Sequence, residues 1–204
     1  MMRSLFLMTA CLLLMVAASP VRLGYEVGDA VADFKLKNTD GKMVALSDYK
    51  DVKGVIVIFD CNTCPVSKAY NERIIALNEK YASKGFPVIA IQPNDPNITA
   101  GDSYEEMVRI ANKKNYKFPY LNDGDTQVTT RAFGATNTPH TFVLKREGKD
   151  FKVAYIGAID DSQKDANAAT KKYVETAVDA LLSSKDVPVT KTKALGCTIK
   201  WKES

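Results

Sequence analysis

Cys61-Asn62-Thr63-Cys64-Pro65 places two cysteines three positions apart. A cysteine thiolate is a nucleophile toward disulfides and peroxides, and the neutral thiol is not. A second cysteine one helical turn later can close onto the first, so such a pair can cycle between dithiol and disulfide. The alternatives for this spacing are an inert structural disulfide or half of a zinc site. A structural zinc site needs four ligands. His140, the only histidine, and Cys197 are the remaining soft donors outside the N-terminal segment, and they do not form a second ligand pair.

The flanking residues decide where that pair would sit. Gly54–Phe59 (GVIVIF) is a continuous apolar run rich in β-branched residues, the pattern of a strand buried on both faces. Pro65 fits the first turn of a helix, where its missing N–H costs nothing. A helix is expected from there to about Lys84, with Ile74, Ile75, Leu77 and Tyr81 on its apolar side and Gly85 as its C-cap. The pair therefore falls at a strand-to-helix junction, with Cys61 at the helix N-terminus. Orphan N–H groups and the helix dipole favour a thiolate there.

The remaining elements alternate in the same way. Phe34–Lys37 and Met43–Leu46 flank Thr39-Asp40-Gly41 as a β-hairpin. Phe86–Ile91 reads as the next strand, and Pro93-Asn94-Asp95-Pro96 as a loop. Ser103 with Glu106 forms a capping box before a helix from Tyr104 to about Asn115. Pro119–Leu121 is extended, and Asn122-Asp123-Gly124-Asp125 is a turn without the ligand spacing of a calcium loop. A short helix to Phe133, strands at His140–Lys145 and Phe151–Ile159 joined through Glu147-Gly148-Lys149, and a helix over Thr170–Leu182 complete the order. This predicts an α/β layer structure whose closing antiparallel hairpin makes the central sheet mixed. Asn97-Ile98-Thr99 is a glycosylation sequon.

The chain has 204 residues, 46% hydrophobic and 25% charged, which fits one folded domain and excludes disorder as its main description. A core of this size needs no disulfide staples, so a cysteine pair calls for a chemical reason. The net charge of +4 comes from 28 basic and 24 acidic residues interleaved along the chain, which argues against a nucleic-acid partner. Residues 1–18 read as a secretory signal peptide: Arg3 is the basic segment, Leu5–Ala18 the apolar run, and Val16-Ala17-Ala18 the small-residue cleavage site. Met8-Thr9-Ala10-Cys11 is a loose lipid-attachment pattern, so a lipid anchor on Cys11 is the alternative. Removal of residues 1–18 leaves Cys61, Cys64 and Cys197 in a periplasmic or extracellular, oxidising compartment, with one thiol unpaired when two join. The layout expected is a domain over residues 25–185 and a basic tail over 186–204 carrying Cys197 and Trp201.

The chain resembles thioredoxin-fold redox proteins, and most of all the exported peroxiredoxin-like redoxins of the AhpC/TSA or thioredoxin type. The resemblance rests on Val27-Gly28-Asp29-Ala30-Val31-Ala32-Asp33-Phe34, the strand before CNTCP, Thr138-Pro139-His140, Gly157-Ala158-Ile159-Asp160-Asp161, and the ending Gly196-Cys197-Thr198-Ile199-Lys200-Trp201-Lys202. It implies a thioredoxin-like fold and a cis peptide before Pro139 packed against the CxxC. It also implies that Thr138 and Pro139 bind substrate backbone as an added strand would. No metal and no organic cofactor are implied; an external dithiol or disulfide partner protein is.

The sequence departs from the family pattern at three positions. Asp60 stands where thioredoxins carry Trp, and a carboxylate beside Cys61 raises its pKa. Val55 stands where thioredoxins carry a buried acid. Cys61 replaces the Thr that precedes a peroxidatic Cys-Pro by three residues. His140 is a candidate proton relay. Arg131 resembles by position the arginine that steadies a peroxiredoxin thiolate. Cys197 is either a resolving cysteine or a buried structural one.

The function expected is thiol–disulfide exchange on exported protein or small-molecule substrates, with Cys61 attacking and Cys64 resolving. The rival reading is a thiol peroxidase with Cys64 peroxidatic and Cys61 or Cys197 resolving. A third is a non-catalytic domain whose CxxC is a permanent disulfide.

Overall fold

The computed structural model describes residues 24–203, so the expected signal peptide and Cys11 lie outside the described residues. Strands β1 (Lys35–Asn38), β2 (Met43–Ala45), β3 (Gly54–Phe59), β4 (Val88–Gln92), β5 (Tyr120–Asn122), β7 (His140–Glu147) and β8 (Asp150–Gly157) form one sheet in the order β2-β1-β5-β4-β3-β7-β8. The β3–β4 and β4–β5 pairs are parallel; β3–β7, β7–β8, β1–β5 and β1–β2 are antiparallel. The sheet is mixed, as the alternation of elements predicts. Helices α1 (Pro65–Tyr81), α2 (Tyr104–Lys114), α3 (Val128–Phe133) and α4 (Tyr173–Leu182) cover it.

The apolar run of β3 is explained by what lies on its two sides. Val55, Val57 and Phe59 face a core with Ile89, Ile91, Leu121, Phe133, Phe142 and Leu144. Ile56 and Ile58 face the other, with Tyr70, Ile74, Leu77 and Tyr81 of α1, Met107 of α2 and Val174 of α4. Every β3 residue is fully buried, so neither side tolerates a polar alternation. Burying each such side chain stabilises the fold by about 2 kcal/mol. The β3 register on β4 and β7 therefore fixes where its C-terminal end, and the cysteines after it, must lie.

Several boundaries differ from expectation for identifiable reasons. Strand β4 runs Val88–Gln92 rather than Phe86–Ile91, because the Phe86 amide is tied back to Tyr81 O and Pro87 has no N–H to donate. Helix α1 tightens into a 3₁₀ turn at Ala82–Lys84 before Gly85, whose φ of 94° needs a residue without Cβ strain. Ser103 caps α2 through Glu106 N–H, but the Glu106 carboxylate pairs with Arg109 instead of reaching back, so half of the capping box forms. Helix α4 begins at Tyr173, three residues after the expected Thr170, because the Thr170 and Lys171 amides bind Asp161. Two short strands, β6 (Asn137–Thr138) and β9 (Cys197–Thr198), pair antiparallel in a second sheet that sequence reading does not anticipate.

Candidate redox site

The end of β3 delivers Cys61 and Cys64 to the start of α1. The helix opens at Pro65 as expected, with Cys64 as its N-cap; Cys61, expected at the helix N-terminus, lies three residues before it. Cys64 is thus the cysteine at the helix N-terminus. Both cysteines are buried, at 4% and 3% exposure. The peptide between Thr138 and Pro139 is cis, as the resemblance implies. Thr138 touches both sulfurs: its Oγ1 lies 3.1 Å from Cys61 Sγ, and its carbonyl oxygen 3.3 Å from Cys64 Sγ.

The disulfide present is Cys64–Cys197, with a Cα–Cα separation of 5.9 Å; Cys61 is a free, buried thiol. The expected closure of Cys61 onto Cys64 is not the pairing seen. Cys197 is carried in by β9, whose partner is β6, in the register Thr138 with Cys197 and Asn137 with Thr198. The strand edge expected to receive substrate is therefore taken by this chain's own tail. Ile199 N–H bonds Thr136 O at 3.1 Å, and the Ile199 side chain joins the core. Lys200 N–H donates to Asn94 Oδ1 at 2.9 Å, and Lys200 O accepts from Asp95 N–H and from Gln127 Nε2. Lys202 N–H donates to Gln127 Oε1 at 2.8 Å.

The electrostatics of Cys61 oppose thiolate formation. Burial is the largest cause, followed by the charges of Asp60 and Asp102, and together these push the thiol up. Hydrogen bonds from Thr138 and from the Cys64 backbone only partly offset them. Asp60 itself is pushed up to about 6, by burial above all, against hydrogen bonds from Ser67 and the Cys61 backbone. Its Oδ1 is buried without a hydrogen-bond partner, as is Asn71 Oδ1. Both residues line a cavity of about 160 Å³ together with Cys61, Ser67 and Tyr116. The expectation that Asp60 works against Cys61 ionisation is met by this geometry.

Asp102 is the residue that sequence reading misses. It is fully buried and accepts from Asn62 N–H at 2.8 Å, Thr63 N–H at 3.1 Å, Thr63 Oγ1 at 2.8 Å and Asn94 Nδ2 at 2.8 Å. One carboxylate thus fixes the two residues between the cysteines. It comes from a 3₁₀ turn at Ala100–Asp102, some forty residues away, and no local pattern marks it. A second anchor was visible as a motif but not as a role. Asp160 accepts from Tyr70 Oη at 2.8 Å and pairs with Arg73 at 2.7 Å, which ties the first half of α1 to the segment that follows β8.

Two candidates lie away from the sulfurs. His140 Nδ1 accepts from Thr136 N–H at 3.3 Å, its ring packs on Phe142, and it lines a different cavity with Thr136 and Lys191. Burial lowers its pKa to about 4, so it is neutral at physiological pH. Arg131 places its guanidinium 4.4 Å from the centroid of the Trp201 ring, so it clasps the tail instead of a sulfur.

Known proteins resemble this chain in sequence and in fold. The thiol-disulfide oxidoreductase ResA of Bacillus subtilis (strain 168) is 29% identical over 164 residues, covering 74% of this chain and 84% of that protein. An uncharacterized conserved protein from Geobacillus kaustophilus superposes with a TM-score of 0.80 at 34% identity, over 92% of this chain and 99% of that one. A putative thiol:disulfide interchange protein DsbE from Chlorobium tepidum shares the thioredoxin-like fold, with a TM-score of 0.58 at 23% identity over 77% of this chain and 98% of that one. The model of the AhpC/TSA family matches residues 27–156, the stretch that builds the sheet and presents both CxxC cysteines, and the chain belongs to that family.

Proposed function

We propose that the protein is a thiol–disulfide oxidoreductase whose exchange centre is Cys61 and Cys64, exported by residues 1–18 and served by an external dithiol or disulfide partner protein. The observation that carries this reading is the meeting of a free thiol, Cys61, and a disulfide sulfur, Cys64, on the two polar atoms of Thr138. Thr138 and Pro139 form the wall against which sulfurs are exchanged. Cys64 at the N-cap makes the better leaving thiolate, because the helix N-terminus stabilises its charge. Cys61, held protonated by burial and two carboxylates, suits the later, resolving attack. Within the buried pair this makes Cys64 the sulfur that leaves and Cys61 the one that later attacks it, whereas the sequence reading has Cys61 attack and Cys64 resolve.

The test is single-turnover stopped-flow on the fully reduced chain. Fast oxidation by a peptide disulfide, with hydrogen peroxide reacting no faster than with free cysteine, supports exchange. The second reading, a thiol peroxidase with Cys64 peroxidatic and Cys197 resolving, draws on the Cys64–Cys197 pairing and on Cys64-Pro65 at the helix N-terminus. It requires peroxide to react far faster than with free cysteine and to leave a sulfenic acid on Cys64.

A further inference from the structure

We propose that Cys197 is a third catalytic cysteine, the port through which external thiols exchange with the buried CxxC, and that the tail bearing it stays docked throughout the cycle. The inference rests on the exchange reading above. Cys61 and Cys64 are 4% and 3% exposed, whereas Cys197 is half-buried. Of the two residues in the disulfide, Cys197 is the less buried and so the one more open to an external thiolate.

The anchors on either side of Cys197 hold the tail independently of the disulfide. Ile199 is buried in the core, Lys200 and Lys202 are bonded through their backbones to Asn94 and Gln127, and Gly196 O accepts from Asn137 Nδ2 at 3.0 Å. Gly196 itself lies so close to β6 that a Cβ there would sit 2.0 Å from Thr138 O. Breaking one S–S bond leaves these contacts in place. An incoming peptide consequently does not displace β9 to add its own strand at Thr138-Pro139; it exchanges sulfur at the outer edge of β9.

The steps balance with a dithiol as the only co-reactant. An external thiolate attacks Cys197 Sγ, a bond forms between them, and the Cys64–Cys197 bond breaks with Cys64 leaving as thiolate on the helix N-terminus. The second thiol of the external molecule then attacks its own sulfur in the mixed disulfide and releases the Cys197 thiolate, which takes up a proton. Two electrons have passed from the external dithiol to the protein. Independently, Cys61 can attack Cys64 Sγ and expel Cys197. The proton lost by Cys61 ends on Cys197, and the product is a Cys61–Cys64 disulfide with a free thiol on the partly buried Cys197. That isomerisation needs no oxidant or reductant.

The test uses the oxidised full chain, treated with excess glutathione and quenched in acid, with each mixed disulfide located by peptide mapping. The expected adduct is on Cys197, in the wild type and in Cys61→Ser. An adduct on Cys64 or Cys61 in the wild type overturns the proposal. A second arm measures turnover with a dithiol and a peptide disulfide in Cys197→Ser. A loss of tenfold or more, with the Cys61–Cys64 disulfide still formed, is expected. Turnover equal to wild type shows that Cys197 is a structural bond only, and overturns the inference while leaving the exchange reading intact. No exchange in either protein removes the exchange reading and the inference with it.

Discussion

At the scale of single residues, two carboxylates govern the cysteines, and the charge of each pushes the Cys61 thiol up. Asp60 is a buried acid whose proton is held more tightly in the folded than in the unfolded chain, its pKa raised from 3.8 to about 6. Its contribution is therefore unfavourable above about pH 6, shrinks as the pH falls toward 4, and vanishes below the unfolded value. The difference corresponds to a cost on the order of 3 kcal/mol at neutral pH. Asp60→Asn is expected to be more stable than wild type at pH 7–8 and indistinguishable from it below pH 4, as read by denaturant midpoints across that range. The same variant removes a charge that pushes the Cys61 thiol up, so Cys61 alkylation at pH 7.5 should quicken. Asp102 adds geometry to its charge: it holds the two residues between the cysteines, so its removal both loosens that loop and relieves the Cys61 thiol. Asp102→Ala strips the acceptor from two backbone amides and a hydroxyl between the cysteines, a loss of roughly 3 kcal/mol. Native-state alkylation of Cys61 should rise at least tenfold as that loop loosens; an unchanged rate would show that Asp102 does not hold it. The CxxC and the liability of Asp60 are legible from adjacent residues. Asp102 is not, because a buried carboxylate forty residues away announces itself only through the contacts of the folded chain.

At the scale of elements, the site is the meeting of β3, the start of α1, β6 and β9. The first two could be read directly: GVIVIF specifies a doubly covered strand, and Pro65 specifies a helix start. The last two are each two residues long and carry no periodicity, so pattern reading could not find them. Their pairing depends on close backbone approach, and Gly196 is the residue that permits it. Backbone atoms of Thr138 and Pro139 cannot yield to a methyl group as a flexible side chain would. Gly196→Ala should therefore lift the tail from β6, destabilise the fold by roughly 2 kcal/mol and redirect oxidation from Cys64–Cys197 to Cys61–Cys64. Non-reducing peptide mapping reads the outcome directly. Retention of the Cys64–Cys197 bond at full yield would mean that the tail docks without this close contact.

At the scale of the whole molecule, the mixed sheet, its two cores and the thioredoxin-like architecture follow from the alternation of apolar strands and amphipathic helices. The disulfide does not follow. The three cysteines among the described residues allow three pairings, and the one found joins positions 133 residues apart. Loop-closure entropy for so long a span stabilises the oxidised chain by about 4–5 kcal/mol. The oxidised protein should melt roughly 10 °C or more above the reduced one by calorimetry. A coincident pair of melting curves would show that the tail anchors alone set the stability. The central claim, that this bond is exchanged and not merely structural, is tested most directly by a redox titration in a dithiol/disulfide buffer. Trp201, the only tryptophan, reports from the docked tail, and thiol counting by mass spectrometry runs alongside. Exchange predicts a reversible two-electron transition at a potential above about −300 mV, within the reach of biological dithiols. A bond that resists reduction until well below that value would contradict the account and make Cys64–Cys197 a permanent clasp.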